Sequence, residues 1–190
     1  MSFTKSDLAK RRIIESCKKA ISESDGHVSK VTIRDIASLS SLSVGMVNHY
    51  FNSKDELIQI CLGEILLTEI DSLTIPENSN LSPEFLVFSL LEKMMTFYLD
   101  NPELVTISLN YELTLPQETD ATTSLIKKIN IVIKDFQLSS WLIYSLQMSF
   151  LRRRILLSQN NLDLQNPSQR KEYLQSLVKT LIVQENKRAA

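Results

Sequence analysis

The stretch LSVGMVNHYFNSKDEL (residues 42–57) holds one of the three glycines in the 190-residue chain, one of its two histidines, and a Tyr-Phe pair. A buried helix avoids such a mixture. Glycine costs about 1 kcal/mol against alanine in a helix interior, and asparagine and histidine need polar partners once they leave water. Ser43 and Ser53 are helix N-cap residues at either end of the stretch, and Val47 and Phe51 lie four apart on one face. The spacing therefore predicts a short helix after Ser43 that is anchored by Val47 and Phe51. Its other face, Val44, Gly45, Asn48 and His49, is left to meet something outside the protein.

The preceding residues supply a second short helix. In VTIRDIASLS (31–40), Thr32 is the N-cap, Ile33, Ile36 and Ala37 form one apolar face, and Ala37 is small where two helices must cross closely. Residues 32–51 thus read as helix, tight turn around SLSSLS, helix. In a helix-turn-helix the N-terminal part of the second helix enters the DNA major groove. There Gly45 lets the backbone approach, Asn48 carries an amide suited to adenine, and Val44 and Met46 suit thymine methyls. Tyr50, Lys54 and the backbone N–H groups at the start of the next helix suit phosphates, and Thr32, Ser43 and His49 complete the expected DNA-binding set.

Charge agrees with that placement. Residues 1–54 carry nine Lys/Arg against five Asp/Glu, whereas residues 55–190 carry twelve against seventeen. The basic excess lies at the end that would meet a polyanion.

The run TIRDIASLSSLSVGMVNHYFNSKDEL (32–57) resembles the DNA-binding segment of TetR-family transcriptional repressors, with a pattern T-x-x-x-I-A followed by S-x-G-x-x-Y-x-H-F-x-[SN]-K-x-x-L. Thr32, Ile36, Ala37, Ser43, Gly45, Phe51, Ser53, Lys54 and Leu57 match in register. The departures are Ser41 where a turn glycine is common, Val44 in place of a basic or polar residue, Asn48 for the frequent tyrosine, and Tyr50 for the frequent histidine, with His49 one place earlier. The resemblance implies a homodimeric repressor on a pseudo-palindromic operator, with a C-terminal helical domain that dimerises and holds a small-molecule inducer.

The rest of the chain reads as all-α, with about nine helices. Leu8, Ile13, Ile14, Cys17 and Ile21 recur at helical spacing over about residues 5–24, and the helix after Ser53 carries Leu57, Ile58, Cys61, Leu62 and Ile65. Ser82-Pro83, Asn101-Pro102 and Asn166-Pro167 each pair a capping side chain with a first-turn proline, which predicts helices at about 83–100, 102–115 and 167–186. Two more fit at 119–136 and 139–159. The break in composition at LTIPENSNLSP (73–83) divides a DNA-binding domain over 1–54, with the helix 54–73 as connector, from a second domain over 75–190.

In that second domain Phe88, Met95, Phe97, Tyr98, Tyr111, Trp141 and Tyr144 suit either a ligand pocket or plain core. Trp141, Leu142, Ser145, Leu146 and Ser149, followed by Tyr173, Leu174, Leu177, Val178 and Leu181, run at heptad-like spacing and suit a dimer seam. The arginines of LRRRI (151–155) read as interface or surface residues. Cys17 and Cys61 read as buried small hydrophobes. The sequence shows no metal-ligand cluster, phosphate loop or nucleophile motif, so neither an enzyme nor a cofactor is expected. The charged first twenty residues and the lack of a spanning apolar run predict a cytoplasmic protein without membrane contact. The alternative from another class is a helical small-molecule-binding protein without DNA-binding activity.

Overall fold

The computed structural model describes residues 4–76 and 80–186. Among them there are ten α-helices and no strand: α1 (Lys5–Glu23), α2 (Ile33–Ser40), α3 (Val44–Tyr50), α4 (Lys54–Ser72), α5 (Pro83–Asp100), α6 (Pro102–Thr114), α7 (Ala121–Ile133), α8 (Phe136–Leu151), α9 (Arg153–Asn160) and α10 (Pro167–Asn186). A single 3-10 turn, Val28–Lys30, precedes α2. No described helix is long and apolar enough to cross a membrane.

Local chemistry explains most helix starts. Thr4 and Asp7 form a reciprocal capping box on α1, and Thr32 and Asp35 form one on α2. Ser82 accepts from Phe85 N–H with Pro83 in the first turn, and Asn166 Oδ1 accepts from the N–H groups of Ser168 and Gln169 to open α10. Asn101 differs from its expected role. Its side-chain amide donates to Phe97 O at 3.0 Å, so it closes α5.

The tenth helix comes from a break inside the segment expected as one helix over 139–159. Arg153 turns back so that its guanidinium stacks on the Phe150 ring, 4.4 Å from the centroid, and Nη1 donates to Phe150 O at 2.8 Å. Phe150 O is thereby taken by a side chain, Arg152 leaves helical geometry, and α9 starts afresh.

The chain forms two compact units. One contains the residues up to Thr68 together with Glu103–Leu115, so it holds α1 to α3, most of α4, and α6. Its core includes Ile13, Cys17, Ile21, Ile36, Val47, Leu57 and Leu62. The Cys61 thiol donates to Ile14 O at 3.7 Å, and the neighbouring Cys17 thiol and burial push it far above its ordinary range, where it is protonated and unreactive. Glu103, at the head of α6, accepts Ser29 N–H at 2.7 Å and lies 3.3 Å from His27 Nδ1. These bonds tie α6 to the turn that leads into α2.

The other unit contains Glu69–Pro102 and the residues from Pro116 onward. In it α5 packs against α7, α8 and α10 over a core that includes Leu91, Met94, Leu125, Ile129, Leu142, Leu146, Phe150 and Leu174. The sequence reading drew one boundary near residue 75; the compact units interleave instead, because Glu103 has its partners 74 and 76 residues earlier.

Candidate nucleic-acid interface

The capping box at Thr32 sets the direction of α2. Its hydroxyl donates to Asp35 Oδ2 at 2.7 Å and accepts from Asp35 N–H at 3.2 Å, and the hydroxyl bond together with Thr32 N–H, which donates to the same oxygen at 2.9 Å, holds the Asp35 carboxyl below its usual range. Thr32, expected among the DNA-binding residues, therefore has its hydroxyl engaged within the protein. At the far end Ser41 adopts left-handed backbone geometry (φ 53°, ψ 39°), and Leu42 N–H reaches back to Ala37 O at 3.0 Å. That turn aims α3.

Ser43 Oγ accepts from Met46 N–H at 3.2 Å and opens α3. Val47 is fully buried and Phe51 nearly so, as their spacing predicts, and with Ile36 and Ala37 they anchor the pair of helices. The outward face carries Val44 (39% exposed), Gly45, Met46 (41% exposed), Asn48 and His49. Tyr50 and Lys54 are half-buried beside it, and the His49 and Tyr50 rings meet edge to face at 5.3 Å. Within the described residues neither the Asn48 amide nor the His49 imidazole has a hydrogen-bond partner, so both are available to a ligand.

Gly45 has no packing reason to be glycine. A Cβ built there would meet only Ser43 Oγ, at 3.8 Å, which is ordinary contact. The fold itself accommodates alanine.

The start of α4 is less open than expected. Ser53 Oγ accepts Glu56 N–H at 3.0 Å, and Glu56 Oε2 accepts Asn52 N–H at 2.9 Å. A phosphate at this terminus has to compete with Asp55 and Glu56, leaving the Lys54 ammonium as its main attraction. The signal was present as Ser-Lys-Asp-Glu (53–56), a capping-box spacing.

The seven residues expected to line a ligand pocket are not gathered in one place. Phe88, Met95 and Tyr98 are buried in the second unit, with the Tyr98 ring 5.3 Å from Phe150; Trp141 and Tyr144 face outward, and Tyr111 belongs to the first unit. Only Phe97 lines the second unit's open groove of about 580 Å³, between the end of α4 and α5, beside Leu73, Glu69, Glu92, Lys93 and Asp100. Sequence reasoning looked for aromatic residues and passed over the polar stripe of α5.

The expected dimer seam divides in two. Leu142, Leu146, Ser149, Leu174 and Val178 are enclosed by the chain's own α8 and α10, where the Ser149 and Tyr173 hydroxyls hydrogen-bond. Heptad spacing marks a helix–helix seam without saying which helix fills it. The outer ridge is Trp141, Tyr144 and Met148, and Ser145, Tyr173, Leu177 and Leu181 are half-buried.

A crystal structure of a TetR transcriptional regulator from Rhodococcus sp. RHA1 superposes with a TM-score of 0.61 at 14% identity, covering 95% of this chain and 98% of that one. The fold is that of the TetR-type transcriptional regulators. A TetR regulator from Haloarcula marismortui ATCC 43049 gives a TM-score of 0.59 at 18% identity, covering 92% and 96% of the two chains. RolR, solved in complex with resorcinol, gives 0.59 at 14% identity, covering 93% and 88%. No protein-family sequence model and no curated protein sequence matches the chain. Within the TetR fold, α2 and α3 are the helix-turn-helix, and the departures at Ser41, Val44, Asn48 and Tyr50 leave that geometry intact.

Proposed function

We propose that this protein is a sequence-specific DNA-binding transcription regulator, a homodimeric repressor released from its operator by a small molecule. The observation that carries the reading is the outward face of α3, with Gly45 lacking any internal reason and the Asn48 and His49 side chains unpartnered, in the basic end of a TetR-type fold. Val44, Gly45, Met46, Asn48 and His49 meet the major groove, and Tyr50 and Lys54 hold phosphates. Two such helices about 34 Å apart span one turn of a pseudo-palindromic site, which is the geometric reason for a dimer.

The exposed ridge Trp141, Tyr144 and Met148 supplies the apolar surface for pairing. RolR's resorcinol complex supports a small organic molecule as the releasing ligand. The ligand favours a conformer in which α4 carries the reading head out of groove spacing. Linkage then requires operator DNA to weaken ligand binding by the same factor.

The test is fluorescence anisotropy of purified protein on DNA from upstream of its own gene, across a salt series. Tight, sequence-selective binding that weakens steeply with salt supports the reading, with Lys54→Ala lowering affinity on all sequences and Asn48→Ala relaxing selectivity. The absence of salt-dependent binding to any duplex tried, specific or not, favours a helical ligand-binding protein instead.

A further inference from the structure

We infer that α3 recognises C5-methyl groups on pyrimidines, so that its half-site is defined by thymine, or by 5-methylcytosine in its place, more than by hydrogen-bonding edges. The inference rests on the DNA-binding reading above and specifies the chemistry of the partner at the same face.

Three observations converge. Between Leu42 and Ser53 there is no lysine or arginine, the side chains that bind guanine O6 and N7 bidentately. The first and third residues of α3 are instead Val44 and Met46, apolar and 39% and 41% exposed, in the helix turn that faces a groove floor. Between them Gly45 tolerates a Cβ on the protein side at 3.8 Å, so what a side chain would obstruct lies outside the chain. A glycine flanked by two exposed apolar side chains lets the helix backbone come close while both flanks press on small apolar groups. In the major groove the small apolar group is the pyrimidine C5-methyl. Asn48, one turn after Val44, carries the amide that pairs with adenine N6 and N7, and so agrees with an A·T pair.

The chemistry separates methyl from base identity. Replacing thymine by deoxyuridine removes the methyl and nothing else, and methylating cytosine at C5 adds it without altering the pairing edge. One methyl taken out of water against an apolar side chain changes affinity by about fourfold.

A pool of randomised 24-base-pair duplexes is selected on the full-length protein, and the selected site is remade with deoxyuridine for thymine, and with cytosine or 5-methylcytosine at the same steps. Anisotropy is read for wild type, Val44→Ala, Met46→Ala and Val44→Thr, the last keeping one methyl; equal thermal midpoints establish that these exposed substitutions leave the fold intact. The expected result is a loss of about fourfold per contacted thymine on deoxyuridine substitution, recovery of the same factor on going from cytosine to 5-methylcytosine, and disappearance of both effects in the alanine variants, with Val44→Thr intermediate. A selected site bound equally well with thymine and deoxyuridine, or a methyl effect that survives in both alanine variants, overturns the inference while leaving the DNA-binding reading in place. Selection that enriches no sequence overturns both.

Discussion

Ser41 sits in the left-handed region without being glycine, a conformation that costs an L-residue about 1 kcal/mol or more. Ser41→Gly is expected to stabilise the protein by about 1 kcal/mol, raising the thermal midpoint by roughly 2–4 °C for a chain of this size, with α3 still aimed as before. Calorimetry reads the shift; an unchanged or lower midpoint means the turn's strain is already relieved elsewhere. Thr32→Ala is expected to move stability the other way by about 1 kcal/mol, because α2 loses the hydroxyl that accepts Asp35 N–H and donates to Asp35 Oδ2. Both residues were legible in sequence, since a threonine three before an acid and a serine at the expected turn position each name their backbone geometry. The glycine at 45 was legible only as an oddity. That it lacks an internal reason required the space around it, which spacing does not contain.

At the level of elements, Glu103 links α6 to the turn before α2. Its carboxyl is held below the ordinary value of 4.5, chiefly by Ser29 N–H, then by the Ser29 hydroxyl and His27. Because the folded group is the more acidic one, its contribution to stability is present above about pH 4.5 and is lost as pH falls through the lowered folded value. Wild type is therefore expected to exceed Glu103→Gln in thermal midpoint near neutrality, and the gap to close in acid. A gap independent of pH would remove the carboxylate from the explanation. Helix starts and lengths were readable from caps and prolines, as for α5 at Ser82-Pro83. The break at Arg152 was not, because the competing donor to Phe150 O is a guanidinium that reaches back from the next residue but two, a side-chain choice that periodicity does not encode.

For the molecule as a whole, the ridge on α8 and the core beneath it make opposite predictions. Trp141→Glu with Tyr144→Glu is expected to give a folded monomer in sedimentation velocity, with operator affinity lost, because it places charge on exposed residues. Leu142→Ala removes a fully buried side chain and is expected to cost roughly 2–5 kcal/mol in a urea melt whatever the state of association. Sequence spacing placed both residues on one seam, since the burial that separates them depends on α5, α7 and α10 packing against α8, which the local pattern does not see. The interleaving of the two units was hidden for the same reason.

That interleaving bears on how such a protein can be rearranged by recombination. A gene cut after the codon for residue 76 encodes α1 to α4 without Glu103–Leu115, and so without the carboxylate that holds the turn before α2. The segment up to residue 76 is not a portable cassette. A chimera that grafts it onto another helical body has to carry the 103–115 segment along or supply a substitute for Glu103, and viable fusions are expected to have junctions that respect both pieces.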